Sequence, residues 1–192
     1  MRIFSFGILV ACGLASSAGI HAQDANVPEI HKPTFAEDAF SPGMLAKFSL
    51  GVLFDQATVQ VPEWGPGAEG LQKRAELRMA GLLSRASAEY GVARFRDTSS
   101  VYLRCQCKGF GPRSRHALAS EFAEHRMDGS LTAPVARFSG VVTSVAVTSF
   151  RERSGAGAAA EHALLLIGTD AGFNLLQEFW PEIRRTLLFR RK

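Results

Sequence analysis

The chain has 192 residues, of which 46% are hydrophobic and 21% are charged. This length corresponds to about one domain, large enough to bury a real hydrophobic core. The formal net charge of +4 is weak and scattered along the chain, so the sequence does not indicate a nucleic-acid partner.

Residues 1–22 are predicted to be a secretory signal peptide. Arg2 precedes an apolar stretch, and Ile20-His21-Ala22 fits a cleavage site. The apolar stretch is shorter than the roughly 20 residues that a membrane span needs. Cleavage removes one cation, which changes the net charge from +4 to +3. We therefore expect an exported protein of the periplasm or cell envelope; the alternative is a lipoprotein anchored at Cys12, which follows Leu9-Val10-Ala11.

Residues 23–41 contain two prolines among mixed polar residues without a sustained period, which predicts a loose tether. Residues 42–192 are predicted to form one domain. Five of the eight prolines stand just before helix-like runs, where proline is favoured at the first helical position. The predicted helices are Pro42–Gln56 with Ser41 as N-cap, Pro66–Tyr90, Pro112–Arg126, Pro134–Phe150, Ala159–Trp180 and a final one restarting at Pro181.

The charged residues of the second predicted helix are assigned to a solvated face. Its apolar residues from Leu71 to Tyr90 recur at spacings of three and four residues, which predicts a buried stripe. In the last long helix, the apolar residues, among them Leu164 and Leu175, line one side and the polar residues line another. The residues assigned to other faces are Lys73, Arg74, Glu76, Arg85 and Glu89 in the second helix, and Asp170, Asn174, Gln177 and Glu178 in the last.

Residues 134–150 are ambiguous, because many are β-branched and favour a strand. The spacing of Gly140, Ser144 and Thr148 instead favours a helix with a ridge of small residues, and we predict a helix. Gly168 and Gly172 form a small notch on the last helix, and the ridge is its predicted packing partner. Between the helices, 94–111 is expected to be irregular with a short strand at 101–103, and 127–130 to form a turn.

Cys105 and Cys107 form a Cys-Gln-Cys sequence. Their spacing is not that of a redox motif, and no second pair completes a zinc site. Three interpretations stay open: a structural or incidental pair, a small disulfide, and a redox or metal site.

Glu121 and His125 are four residues apart on the predicted third helix, so that they would share a face and could hold a metal ion. The sequence lacks the first histidine of the zinc-protease helix motifs. The alternative is an ordinary surface pair. No cofactor is predicted, and no catalytic residue is assigned.

Two basic clusters stand out. Arg104, Lys108, Arg113 and Arg115 form a patch that either is solvated or holds an anion. The C-terminal segment is basic and partly amphipathic, and Trp180 precedes it. It is predicted either to lie on an anionic membrane surface or to pack as a final helix on the core. The cations assigned to membrane or partner contact are Arg184, Arg185, Arg190, Arg191 and Lys192.

Four segments carry a resemblance to a known group of proteins: Phe54–Ala57, Pro62–Gly70, Arg113–Leu118 and Gln177–Arg185. The most specific are the PEWG sequence and QEFWPEIRR. On these the chain resembles uncharacterised secreted, helix-rich proteins of soil bacteria. The resemblance implies export and an α-rich fold, and it implies no activity. The chain departs from the family pattern around Ser99 to Gly109.

The sequence as a whole predicts a mainly α single domain of about five helices, with one short strand pair as an option. We expect a non-enzymatic structural or interaction protein whose partner is a membrane surface or another envelope protein. The alternatives are a metal-binding protein or enzyme that uses Glu121 and His125, and a carrier of a small ligand or lipid.

Overall fold

The structure is a computed structural model that describes residues 32–58 and 60–189. The predicted mainly α fold is confirmed, and the described residues form six α-helices and one small sheet. The helices are α1 (Phe35–Ala39), α2 (Pro42–Ala57), α3 (Ala68–Arg96), α4 (Phe110–Ala119), α5 (Val135–Glu152) and α6 (Ala156–Phe189); the strands are β1 (Thr98–Ser99), β2 (Glu124–Arg126) and β3 (Leu131–Thr132).

The predicted signal peptide, which includes Cys12, and residues 23–31 of the predicted tether lie outside the described residues. Within the described part of the tether, α1 differs from the loose segment that we expected. Thr34 and Glu37 cap it reciprocally, as in a capping box. Ala39 is fully buried, and the ring of Phe35 meets Tyr90 of α3 edge-on at 5.9 Å. The helix is therefore docked on the body of the protein.

Helix α2 begins where the sequence predicts the start of its first helix. The Ser41 hydroxyl accepts a hydrogen bond from the backbone N–H of Met44 at 3.2 Å, and Pro42 occupies the first helical position. Because proline lacks the N–H that the first turn leaves unpaired, it stabilises this start. Helix α3 corresponds to the second predicted helix. It runs six residues past the predicted end at Tyr90 and ends at Arg96.

Helices α3 and α5 pack along each other through small residues, which confirms the predicted helix over 134–150. A methyl group on Gly140 would lie 3.0 Å from Cγ of Arg85, and one on Gly81 would lie 3.1 Å from Oγ of Ser144. The predicted packing partner of the ridge is wrong. The ridge faces α3, whereas a methyl group on Gly168 or Gly172 would meet no other atom within 4 Å.

The last helix does not restart at Pro181 as predicted, because α6 runs through it without a break. Proline lacks the N–H that helix geometry requires and crowds the preceding turn. Arg113 of α4 binds that turn from outside the helix. It donates to the backbone carbonyl of Glu178 at 2.5 Å and forms ion pairs with the side chains of Glu178 and Glu182, both at 2.7 Å.

Helix α4 is shorter than predicted. After Ala119 the chain forms a 3₁₀ turn over Ser120–Phe122 and then enters β2. The sheet is antiparallel in the order β1-β2-β3, with Ser99 opposite His125 and His125 opposite Leu131. The predicted turn over 127–130 connects β2 and β3. The strand predicted at 101–103 is wrong, since the strand lies at 98–99 and residues 101–108 are irregular.

The predicted solvated face of α3 is largely wrong, and most of the polar side of α6 is buried as well. Six polar residues of these two helices are less than a tenth exposed, whereas Leu164 on the apolar side predicted for α6 is 70% exposed. Lys73 and Glu76 do lie on the exposed surface as predicted. The reason is that these charges have partners: Arg74, Arg85, Asp170 and Glu178 bind groups outside their own helix, and Glu89 lies next to Arg85 of the same helix. The buried six are Arg74, Arg85, Glu89, Asp170, Asn174 and Glu178.

Within the described residues, every helix is too short or too polar to cross a membrane.

Candidate functional site

A cleft of about 610 Å³ lies among α2, α3, α5 and α6. Helices α3 and α5 contribute its floor through the small residues Gly81, Ser144 and Thr148, and α2 and α6 form its walls. The short side chains of the floor leave the space that larger residues would fill. Small-molecule sites in proteins have volumes of roughly 300–1,000 Å³, so this cleft is of ligand size.

The walls of the cleft are mostly apolar and uncovered. Leu50, Leu53 and Phe54 of α2 are 58%, 62% and 54% exposed, and Leu165 of α6 is 54% exposed. Contiguous apolar surface of this kind commonly marks a binding site. The other apolar lining residues are Met44, Phe48, Leu82, Leu166 and Phe173.

One end of the cleft is closed by an ion cluster between three helices. Asp170 of α6 accepts hydrogen bonds from Nζ of Lys47 at 2.7 Å and from Nη2 of Arg85 at 2.5 Å. Nε of Arg85 also lies 3.6 Å from Glu89. Burial alone would raise the pKa of Asp170, but the charges of Arg85 and Lys47 outweigh it and lower the pKa below its ordinary value. Asp170 is therefore ionised and joins α2 to α6.

The other end of the cleft carries Arg78 and His162. Arg78 forms two hydrogen bonds with the carboxylate of Asp55, at 2.5 and 2.7 Å. His162 lies 3.1 Å from the hydroxyl of Thr148. Burial, together with the charge of Arg78, lowers the pKa of His162. The imidazole of His162 is therefore neutral at neutral pH, and the guanidinium of Arg78 is paired with the carboxylate of Asp55.

A network of buried polar groups continues behind the closed end. Glu121 accepts hydrogen bonds from Arg137 at 3.4 Å and from Asn174 at 3.2 Å through one carboxylate oxygen. Its other oxygen, Oε1, is buried without a hydrogen-bond partner among the described residues. Burial raises the pKa of Glu121 to about 7, although Arg137 opposes the rise. Glu121 does not line the cleft, so it has no access to a ligand bound there.

The predicted metal pair is not formed as the sequence suggested. Glu121 lies in the 3₁₀ turn and His125 in β2, so they do not share a helical face. The buried carboxylate of Glu121 is occupied by Arg137 and Asn174. Among the described residues, no group of three or more histidine, cysteine, aspartate or glutamate side chains is arranged to hold a metal ion.

Cys105 and Cys107 are joined by a disulfide in the structure. The N–H of Cys105 donates to Oε2 of Glu178 at 3.0 Å, and the hydroxyl of Tyr102 donates to the same oxygen at 2.7 Å. Burial would raise the pKa of Glu178, but hydrogen bonds from Arg113, Tyr102 and Cys105 lower it. The loop over 101–108 is thus held on α6 through a side chain, which explains why residues 101–103 do not form a strand.

The predicted basic patch is not a set of four solvated cations, because Arg113 is engaged by Glu178 and Glu182. Its guanidinium also lies 4.5 Å from the centre of the Phe179 ring. At the C-terminal end of α6, Arg184 and Arg185 are exposed. The other basic residues assigned to membrane or partner contact, Arg190, Arg191 and Lys192, lie outside the described residues.

The sequence offered a carrier as an alternative but did not locate the cleft, although two signals were present. Lys47 stands on an otherwise apolar face of α2, and Gly81 stands opposite the ridge on α5. A glycine opposite small residues usually permits close helix packing, but here it also lowers the floor of a cavity.

Comparison of the chain with protein-family models, with curated proteins and with solved structures finds no match. The resemblance to secreted helical proteins therefore stays a prediction, and the geometry of the cleft is what supports a function.

Proposed function

We propose that this chain is a non-enzymatic carrier of a small apolar molecule, which it binds in the cleft between α2 and α6. The observation that carries this proposal is the 610 Å³ cleft with half-exposed leucine and phenylalanine side chains on its walls. A ligand that covers these side chains gains about 25 cal/mol for each Å² of apolar surface removed from water. The geometry favours this function over the structural protein that the sequence alone suggested.

The neutral fluorescent probe N-phenyl-1-naphthylamine tests the proposal. We expect it to bind the wild-type protein and to lose affinity at least about tenfold when Leu53 and Leu165 are both changed to Gln, because apolar contact is replaced by amides. The matched control is Leu164→Gln, which changes the neighbouring residue outside the cleft and is expected to leave affinity unchanged. Failure of the wild-type protein to bind, or equal losses in both variants, would contradict the proposal.

Native mass spectrometry gives an independent measurement. Protein purified from cells under non-denaturing conditions is expected to carry a small molecule that the Leu53→Gln/Leu165→Gln variant lacks. An identical mass for both preparations, after correction for the substitutions, would count against a resident ligand.

We also propose export to the periplasm or cell envelope. Support comes from the signal-peptide pattern of residues 1–22 and from the disulfide, a bond that persists in oxidising compartments. Determining the N-terminus of the mature protein tests this. A start at Gln23 would establish cleavage, whereas a lipid-modified Cys12 at the N-terminus would establish the lipoprotein.

Peripheral contact with a membrane is a second candidate function, and it is compatible with the first. The exposed Arg184 and Arg185 lie one turn beyond Trp180, which is 44% exposed. Aromatic and basic residues together favour the interface of an anionic membrane. Truncation would be a poor test because it also removes Glu182, a partner of Arg113. Sedimentation with anionic vesicles should instead compare the wild type with Arg184→Gln/Arg185→Gln, and equal binding would exclude this contact.

A further inference from the structure

The charged side chains that line the cleft are unequal in sign. Three permanent cations line it, Lys47, Arg78 and Arg85, whereas Asp170 is the one carboxylate among the described lining residues. Arg85 binds Asp170 itself, whereas Asp55, the partner of Arg78, and Glu89, the second neighbour of Arg85, are not among the lining residues. A molecule inside the cleft therefore meets more positive than negative charge.

Lys47 is the cation best placed to meet a ligand. Its ammonium has three donors, and among the described residues its hydrogen-bond partner is Asp170 at 2.7 Å. It also lies 5.0 Å from the centre of the Phe173 ring. The side chain of Lys47 is 23% exposed and that of Arg85 is 8% exposed; Arg78 is 26% exposed, but both carboxylate oxygens of Asp55 bind it. Because Arg85 also binds Asp170, the aspartate does not depend on Lys47 alone for its counter-charge.

An apolar path leads away from this cation. Along α2 the lining continues from Lys47 to Phe54, which is about 10 Å at the helical rise of 1.5 Å per residue. Leu165 and Leu166 face it from α6. A cationic end joined to an apolar trough is complementary to a molecule that has one anionic group and one hydrocarbon chain.

We infer that the ligand of this cleft is a single-chain amphiphile with an anionic head group, bound through Lys47 with its chain along α2 and α6. This inference rests on the proposed function and names the chemical class of the ligand. The head group is a carboxylate or a phosphate monoester, since an ammonium binds either anion.

Isothermal titration with three ligands of equal chain length tests the inference. Dodecanoate, dodecyl phosphate and dodecanol differ in the head group alone. We expect at least one of the two anions to bind the wild-type protein about tenfold or more tightly than the alcohol, the effect of one hydrogen bond to a charged group. The tighter of the two anions identifies the head group.

Variants of Lys47 complete the test. Lys47→Met is expected to reduce the anion's affinity about tenfold, to the level of the alcohol, and Lys47→Arg is expected to keep the preference. The control Lys73→Met removes an exposed lysine of α3 that pairs with Glu69, and it should change nothing.

Equal binding of the alcohol and both anions by the wild-type protein would overturn the inference, and it would leave the proposed cleft in place. A preference for the anion that survives in Lys47→Met would overturn the role of Lys47. If none of the three ligands binds and the neutral naphthylamine probe also fails, the proposed function fails together with the inference. The wild-type comparison does not depend on the folding of any variant.

Discussion

In the interior behind the cleft, Arg137 and Glu121 are 7% and 1% exposed, whereas Leu53 and Phe54 on the cleft wall are 62% and 54% exposed. This protein buries charge in one region and exposes hydrocarbon in another. In the interior, Arg137 of α5 and Glu121 of the 3₁₀ turn are each other's partners, so burial is tolerated. On the wall, no described element covers the apolar side chains. The buried polar groups therefore hold the helices together, and the exposed apolar side chains remain available for the ligand that we propose.

The largest expected effect on the free energy of unfolding comes from removing one partner of a buried ion pair in the interior. Arg137→Met removes the donor to the carbonyls of Ser120 and Ser100, at 2.6 and 2.8 Å, and leaves Glu121 without its cation. Loss of one partner of a buried pair typically costs about 3–5 kcal/mol. We expect a fall of that size in the free energy of unfolding, measured by urea denaturation. The control is Arg151→Met on the exposed surface of the same helix, and equal losses for both variants would show that the interior pairing is unimportant.

Disturbing the close packing of α3 against α5 is expected to have a smaller effect on stability. Gly140→Ala places a methyl group 3.1 Å from the carbonyl oxygen of Arg85, so α3 and α5 must separate, and overpacking of this kind costs about 1–3 kcal/mol. Gly168→Ala is the matched substitution on α6, where the methyl group meets nothing. It is expected to stabilise the protein by about 0.5–1 kcal/mol through helix propensity. Thermal denaturation of both variants checks this, and a stabilising Gly140→Ala would refute the close packing.

The pH dependence of stability gives the smallest expected effect. The pKa of Glu121 is raised from 4.5 to about 7, so the folded state holds a proton that the unfolded state has lost. Stability from this group is complete below the unfolded pKa and is lost as the pH rises through the folded value. Between about pH 6.5 and about pH 8 we expect a loss of about 1 kcal/mol.

The variant Glu121→Gln isolates this contribution. His162 and His125 have lowered pKa values, so their titration makes stability rise with pH and opposes the fall, equally in the wild type and in Glu121→Gln. Asp38, whose pKa is raised to about 6 by burial and by Glu89, has lost most of its proton by pH 7. Urea denaturation at the two pH values should therefore show a smaller fall in Glu121→Gln than in the wild type. An unchanged fall would assign the pH dependence to another group.

Local signals in the sequence predicted the helices well, because they act within a few residues. Ser41 and Pro42 start α2 through hydrogen bonding and backbone geometry that belong to those positions alone. The ridge on α5 was likewise visible in the spacing of Gly140 and Ser144. The short turn after β2 follows from the side chain of Asp128, which accepts hydrogen bonds from Ser130.

The faces of the helices could not be predicted in the same way. Arg85 and Asp170 are 85 residues apart in the chain, and periodicity does not reveal that each satisfies the other. Glu121 was assigned to a helix because helix propensity continues past Ala119. The carbonyl of Ser120 and the carboxylate of Glu121 instead bind Arg137. The cleft was missed for the same reason, since its walls come from residues more than 100 positions apart.

Arg113 fastens α6 on both sides of Pro181, through Glu178 before it and Glu182 after it. A helix interrupted by proline has lost part of its own stiffness at that point. The direction of α6 after Pro181 therefore depends on the contacts that Arg113 of α4 makes with Glu178 and Glu182. The loop closed by Cys105 and Cys107 is bound to the same Glu178. A single carboxylate thus binds both the disulfide-closed loop and Arg113, the residue that holds α6 on both sides of Pro181.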